Sequence, residues 1–400
     1  MAWISRNPLM RHILLLAVAI LCLLLVTISL MIQTESVHRR RVRLVRYRNE
    51  RKFHEYEDEF NGEIRKLDWR PIVETPGNTP ITSLTVQSAA YRKSDDSQVT
   101  ESSDEKRPKC TGSLLTLFTT MKNTDSRSTI HGNTLLNWAS LIPDITPVLF
   151  VENNTNMQWI GQAERSGWHI RNVSMWNQGI PILKYMFLDV LKDYSSPFYG
   201  YANADILFDR TLIANLKAFT SYENYSSKLF IIGKRWNLNV SDSDFQLIDA
   251  SNLTKLSELG RKNGSQFTTN AQDYFIATRS GFPWHQIPDF VVGRAGYDNW
   301  LVVKAQDWNL TVVDSSYTIM AIHQTGLDGN RAGWAEQDHR CINREIIGKF
   351  NYTRGHTKCV PYISYVDLSG EIKIFRRPKI ARDCSTKYRR IKYQPLMGCI

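Results

Sequence analysis

Phe198-Tyr199-Gly200-Tyr201-Ala202-Asn203-Ala204-Asp205-Ile206-Leu207-Phe208-Asp209 passes from an unbroken apolar and aromatic run into a polar triplet that ends on an acid. A run of that kind reads as a buried strand, residues 198–202, and the triplet as its exit. An acid at the carboxyl end of a parallel strand stands where ligands bind in open α/β sheets. Oxygen ligands suit Mg or Mn, which bridge phosphate oxygens, so Asp205 is a candidate contact for a metal–diphosphate. Asp209 has a plainer reading, as a cap on a helix that begins near Thr211.

Toward the N-terminus the chain alternates strand and helix patterns. Residues 114–119 (LLTLFT), 147–152 (PVLFVE) and 168–173 read as strands, and residues 128–141 and 157–167 as helices, the second ended by Gly167. An apolar-faced helix over 180–192 opens at Gly179 and Pro181. This rhythm predicts an α/β fold, a mostly parallel sheet flanked by helices with right-handed crossovers. Toward the C-terminus residues 228–234, 273–278, 311–314 and 318–323 read as strands and 298–308 as a helix, a mixed-sheet half. After the first strand Thr119, Thr120, Lys122 and Arg127 form a polar loop, suited to nucleobase and ribose with Lys122 or Arg127 near phosphate. It lacks the Walker glycine spacing, which excludes a P-loop.

The ends of the chain speak of its setting. Residues 13–32 carry no charge and are long enough to span a bilayer as an uncleaved signal-anchor, with residues 1–12 as a cytosolic tail. Residues 33–109 are polar and rich in charge, Ser and Thr, a stem that holds residues 110–335 away from the membrane. The arginines at 39, 40, 41, 43, 46 and 48 place the C-terminal side in the cytosol by the positive-inside rule. Eight N-x-S/T sequons argue the opposite, at Asn153, Asn172, Asn224, Asn239, Asn252, Asn263, Asn309 and Asn351. We follow the sequons and expect a lumenal domain. The net charge of +11 is concentrated in residues 38–52 and 371–392, which leaves the folded part without a basic field and excludes nucleic acid as a partner. Four of the six cysteines fall in residues 336–400, a basic C-terminal extension that they could staple in an oxidising lumen.

Two blocks of sequence carry a family resemblance. The first is Leu117-Phe118-Thr119-Thr120-Met121-Lys122, Asn137-Trp138, Pro147-Val148-Leu149-Phe150, Gly179-Ile180-Pro181 and Tyr201-Ala202-Asn203-Ala204-Asp205. The second is Gln272-Asp273-Tyr274-Phe275, Ile287-Pro288, Gly293 through Trp300 and Ala321-Ile322-His323-Gln324. Together, over about residues 112–330, they resemble nucleotide-sugar transferases of the GT-A fold, and among those Golgi-type single-pass membrane proteins.

The resemblance implies a GT-A-like sheet, a nucleotide-sugar donor, a glycan or glycoprotein acceptor, and a Golgi or ER membrane location. It implies a divalent cation, Mn or Mg, held by Asp205 and a late histidine matched by His323. A buried structural histidine is the alternative for His323. Asn203 and Ala204 complete the strand exit as donor contacts, but Asn203 stands where the family's Asp-x-Asp has its first acid, which removes one charge from the metal motif. That departure keeps open a second reading, a non-catalytic lumenal relative that binds glycan or a partner protein. Arg294, beside Gly293, is a further candidate for the diphosphate. Asp298 opens a helix after a glycine-bearing loop and suits a general base for the acceptor hydroxyl; the alternative is an N-cap. Asp273 is the other candidate acid. Most tryptophans, Trp176 among them, read as core, and Trp334 as the exception that faces a sugar.

Overall fold

The computed structural model describes residues 109–110, 112–121, 127–152, 160–222, 228–239, 249–326, 339 and 341–384. Lys122, Trp334 and residues 13–32 lie outside them, and among the described residues no helix is long and apolar enough to cross a membrane. The first strand, β1 (Leu115–Thr120), is followed by α1 (Ser128–Ala139), β2 (Ile145–Val151), α2 (Ile160–Arg165) and β3 (His169–Asn172). Next come α3 (Leu183–Asp193), β4 (Phe198–Ala202), β5 (Ile206–Phe208) and α4 (Thr211–Thr220). The second half supplies β6 (Leu229–Ile232), β7 (Trp236–Asn239), α5 (Leu253–Asn263), β8 (Tyr274–Thr278) and α6 (Tyr297–Asp307). It ends with β9 (Thr311–Asp314), β10 (Ala321–Thr325), α7 (Ile342–Ile347), β11 (Tyr362–Val366) and β12 (Ile372–Arg376).

Nine strands form one sheet in the order β12-β11-β9-β6-β8-β4-β1-β2-β3. Every neighbouring pair is parallel except those made by β8 and β12. The fold is therefore α/β, a large and mostly parallel sheet flanked by helices. The alternation within β1 explains its two faces: Leu115 and Leu117 join one core, Phe118 the other. Helices α1 and α4 cover the first face through Leu135, Trp138, Leu212 and Leu216. On the second face α3 and α6 pack Met186, Phe187, Val190, Leu301 and Val302 against Phe118, Val148 and Phe150. Both faces are covered, as the apolar character of the parallel strands requires.

The smaller sheet sets the site. Its order is Ser265–Gln266, β7, β10, β5, and its antiparallel β10–β5 pair places His323 opposite Ile206. Helix α1 clamps the strand exit from the other side with three buried side chains. Thr134 Oγ1 donates to the Ala204 carbonyl at 2.7 Å, Trp138 Nε1 to the Ile206 carbonyl at 3.0 Å, and Asn137 Nδ2 to the Phe208 carbonyl at 3.0 Å. Asn137 Oδ1 accepts the Phe208 N–H at 2.8 Å, so one amide holds both backbone groups of that residue.

Several local readings change. Residues 180 and 181 do not open a helix; Ile180–Pro181 pairs with Trp176–Asn177 as a hairpin, and the helix starts at Leu183. Gln178 and Gly179 at the hairpin tip have φ of 51° and 73°, a turn that glycine accepts without strain. The strand expected over 318–323 is shifted to Ala321–Thr325. Beyond residue 335, β11 and β12 join the main sheet at its edge, and Cys359 is bonded to Cys384. Asp209 accepts the Thr211 N–H at 2.9 Å, one residue ahead of the cap position, which Arg210 holds.

Candidate active site

A cleft of about 790 Å³ opens at the carboxyl ends of β1 and β4. The topology dictates that location, because parallel strands on the same sheet end along one edge. Thr120, Arg127, Asn203, Ala204, Asp205, Asp273, Arg294, Asp298 and His323, drawn from well-separated stretches of sequence, all line it. Thr119 does not. It is fully buried, and alternation along β1 sends its side chain to the face opposite that of Thr120.

Asp205 sits at the first wall. Its Oδ2 is 3.4 Å from His323 Nε2 and 3.6 Å from the Arg127 guanidinium, while its buried Oδ1 has no hydrogen-bond partner among the described residues. Burial pushes this carboxyl up, but His323, Arg127 and Arg235 together outweigh it and hold Asp205 well below the usual carboxylate range. His323 is oriented by Nδ1, 3.2 Å from Thr325 Oγ1, which turns Nε2 toward Asp205. Beside them burial, aided by Arg127, lowers His131 to about 4, so this histidine is neutral at pH 7.

Among the described residues no group of three or more His, Cys, Asp or Glu side chains could hold a metal ion. Asp205 and His323 could offer two ligands, with one carboxylate oxygen unsatisfied among the described residues. That suits an ion that takes its remaining ligands from phosphate and water, the common arrangement for Mg and its relatives.

Asn203 has a structural reason to be an amide. Its Nδ2 donates to Asp273 Oδ1 at 2.9 Å, its backbone N–H donates to the Asp273 carbonyl at 2.9 Å, and its Oδ1 accepts from the Tyr201 hydroxyl at 3.1 Å. A carboxylate at position 203 would face Asp273 across the same gap, and two such groups cannot both ionise cheaply. Asp273 in turn is buried and bonded through Oδ1 to Arg235 at 2.6 Å, with Oδ2 lacking a partner among the described residues. Arg235 is fixed from two more sides, by Asn237 Oδ1 at 3.0 Å and by the Phe267 ring, whose centroid lies 4.3 Å away.

No protein-family model matches the chain, and no curated protein matches it. Among solved structures, glucosyl-3-phosphoglycerate synthase from Mycobacterium tuberculosis, in complex with Mn2+, UDP and glucosyl-3-phosphoglycerate, is 14% identical with a TM-score of 0.29, over 54% of this chain and 70% of that one. The mannosyltransferase PcManGT from Pyrobaculum calidifontis, in complex with GDP-Man and Mn2+, is 12% identical with a TM-score of 0.34, over 62% and 67%. A mycobacterial protein is 12% identical with a TM-score of 0.35, over 67% and 84%. Likeness at this distance assigns no role to any residue here, and the site is read from its own chemistry.

Asp298 faces the cleft from the second wall. It is not the N-cap of α6; Gly296, with φ of 107°, holds that position and Asp298 lies in the first turn. Burial pushes its carboxyl up to about 6, helped by the charge of Asp273, against backbone N–H bonds from Asn299, Gln272 and Gly296. A carboxyl near 6 is ionised at neutral pH yet basic enough to accept a proton. Tyr297, next to it, is hydrogen-bonded to Tyr201 and links the two walls. Arg294, on the glycine-bearing loop, donates to the Gly293 carbonyl at 3.2 Å, and its own carbonyl accepts from Asn343 Nδ2 at 3.0 Å.

Several lining residues were not singled out from the sequence, Arg235, His131, Arg344 and Trp176 among them. Arg235 and His131 carry no motif, because their place depends on β7 pairing with β10 and on the rotation of α1. Arg344 comes from α7. Trp176 was read as core, but it stands 36% exposed on the cleft rim. A large aromatic left open at a concave site is the one signal that exposure gives and sequence cannot.

Proposed function

We propose that this chain is a nucleotide-sugar-dependent glycosyltransferase that transfers a sugar to a glycan or glycoprotein in the secretory pathway. One observation carries the reading. A single cleft holds an ionised carboxylate with a histidine and an arginine on one wall, and a carboxyl raised to about 6 on the other. The first wall suits a diphosphate: Arg127 offers a fixed positive charge, and Asp205 with His323 would hold Mn or Mg. Such an ion, when bound, neutralises charge on a leaving diphosphate. Thr120, Asn203, Ala204 and Arg235 line the same wall and suit the rest of the donor. On the second wall Asp298 takes the proton of the acceptor hydroxyl as that oxygen bonds to the anomeric carbon; the bond from that carbon to the diphosphate oxygen breaks, the nucleoside diphosphate leaves with the electron pair, and the donor sugar inverts.

The test is a donor panel. Full-length protein in detergent is titrated calorimetrically with UDP- and GDP-sugars, with and without Mn, and release of the nucleoside diphosphate is followed. Saturable binding with slow hydrolysis of at least one donor is expected. Absence of binding to every nucleotide sugar, by a folded protein supplied with metal, would reduce the fold to a non-catalytic scaffold.

We also propose a type II orientation in a Golgi or ER membrane, with residues 13–32 as the anchor and the folded part lumenal. Asn172, Asn263 and Asn309 are exposed sequon residues, and Asn252 spends only its Oδ1 on the Lys255 N–H, so their amide nitrogens are open to a glycan. Protein made in animal cells is expected to gain gel mobility after endoglycosidase treatment. Unchanged mobility, together with protease sensitivity in sealed microsomes, puts the domain in the cytosol and sinks this orientation.

A further inference from the structure

Asp298 is held by three backbone N–H groups, and two of them belong to residues whose side chains are bonded to each other. Asn299 Nδ2 donates to Gln272 Oε1 at 3.2 Å, and both amides reach the carbonyl of Gly355, each at 3.3 Å. The same Asn299 nitrogen reaches the Asn270 carbonyl at 3.2 Å, and Gln272 Nε2 the Thr269 carbonyl at 3.2 Å. The Thr357 N–H donates to the Thr269 carbonyl as well, at 2.8 Å. Gln272, Asn299 and Gly355 are all buried. Three stretches far apart in sequence, residues 269–272, the first turn of α6 and residues 355–357, are thus joined through two side-chain amides.

Gly355 shows how tight that joint is. A Cβ there would overlap the backbone of Asn299, so only glycine lets its carbonyl come this close. The loop before β8 is pinned from its other side too. Asp273, next to Gln272, accepts the Asn203 N–H on its carbonyl at 2.9 Å, and its carboxylate holds Asn203 and Arg235. The plain alternative is that buried amides with satisfied bonds simply stabilise the fold. Gln306 supplies the contrast. Its Nε2 reaches the carbonyls of Arg354 at 3.2 Å and Val302 at 3.3 Å, so it braces the far end of α6 and not the residues whose N–H groups hold Asp298. Gln272 and Asn299 differ in that each lends Asp298 its backbone and grips the other with its side chain. A carboxylate aimed by backbone N–H groups moves with them, and a base works only within hydrogen-bond reach of its proton.

From this arrangement we infer that Gln272 and Asn299 are positioning residues for Asp298: their clasp, closed on Gly355, sets the two backbone N–H groups that aim its carboxylate at the acceptor hydroxyl. The inference rests on the glycosyltransferase reading and adds to it the device that holds the base. The N–H groups also favour the ionised carboxyl against the burial that pushes it up, so loosening the clasp raises it further. Other charged and titratable groups share the cleft with Asp298, namely Asp273, Tyr297, Arg294, His339, Arg344 and Glu152. Arg354 and His356 flank Gly355. All of these stay as they are in the variants that test the clasp.

The experiment uses the full-length protein and the donor found in the panel, with Gln272→Met, Asn299→Ser and Gln306→Met as variants. The first two are expected to lower kcat on the order of tenfold or more with the donor KM nearly unmoved, because a misaimed base costs rate and not donor binding. In both, the acid limb of kcat/KM moves to higher pH. The double variant loses little more than either alone, since one clasp is broken once. Gln306→Met lowers the melting temperature and leaves kcat and the acid limb in place. Near-normal kcat in the folded clasp variants, an unmoved acid limb, or an equal loss in Gln306→Met overturns the inference. Failure of both clasp variants to fold also overturns it, since the clasp is then a folding element alone. Should no donor be turned over, the transferase reading fails by itself, and 13C NMR of carboxyl-labelled aspartate decides the clasp separately, with the Asp298 signal identified by its loss in Asp298→Asn. A titration midpoint raised in the clasp variants and not in Gln306→Met keeps the clasp as the holder of that carboxyl; an unmoved midpoint overturns the clasp too.

Discussion

Asp205→Ala is expected to abolish nucleotide-sugar turnover in a protein that still folds. The carboxylate lies between His323 and Arg127, with a second oxygen that has no hydrogen-bond partner among the described residues. On the proposed reading, its removal takes away the carboxylate that would hold the metal against the diphosphate. Loss of a metal's charge stabilisation of the leaving group amounts to several kcal/mol of transition-state energy, on the order of a thousandfold or more in rate. The structural cost is smaller, because the clamp on the strand exit uses backbone carbonyls of Ala204, Ile206 and Phe208, none of which the substitution touches. About 1–3 kcal/mol of stability is at stake from the two charged contacts, visible as a few degrees in melting temperature. A chelator titration on the unmodified protein accompanies the variant. Full turnover in chelator removes the metal but leaves Asp205 as a partner of Arg127; full turnover in Asp205→Ala removes both.

The parts of the molecule that could be read from sequence are those fixed by local periodicity. The exit of β4 and the parallel run β1-β2-β3 follow from apolar runs and their terminators, whereas the cap expected at Asp209 falls one residue later, at Arg210. Parallel strands share one edge, so Thr120 and Asp205 are forced to the same cleft once the strands are assigned. The misreading of Thr119 has the same origin: with a period of two, a choice between adjacent threonines is a choice between faces. Pro181 was read as a helix opener because proline is common there, and a two-residue hairpin leaves no periodic trace. β12 escaped notice because Ile372–Arg376 (IKIFR) mixes two isoleucines and a phenylalanine with two basic residues and shows no clean period of two. That is how an edge strand guards itself against further pairing, and in sequence it resembles a solvated tail. Asn203 reads from sequence as the place where a metal motif loses a charge; its bond to Asp273 is a relation between residues that only the β4–β8 pairing creates.

Asp298→Asn is expected to lower turnover by on the order of a hundredfold or more while donor affinity stays near that of the unmodified protein. The amide keeps the size of the side chain, and its one oxygen can still accept up to two of the three N–H bonds from Asn299, Gln272 and Gly296, so most of the anchoring of the first turn of α6 is kept. It cannot take a proton. The pH dependence separates this from a structural effect. A base with its carboxyl raised to about 6 is active when ionised, so kcat/KM should fall as pH drops through about 6, and that limb should vanish in the variant. Stability moves the other way. Burial disfavours the ionised carboxyl, so its charge costs stability above the unfolded value near 4, and at pH 7.5 the amide should melt at the same temperature or slightly higher. Lost activity without lost stability is what a group held in a strained charge state for chemistry gives. A folded Asp298→Asn protein with near-normal turnover at saturating acceptor would reduce Asp298 to an anchor for α6. Retention of configuration at the transferred sugar would do the same, since front-face transfer needs no base at this wall.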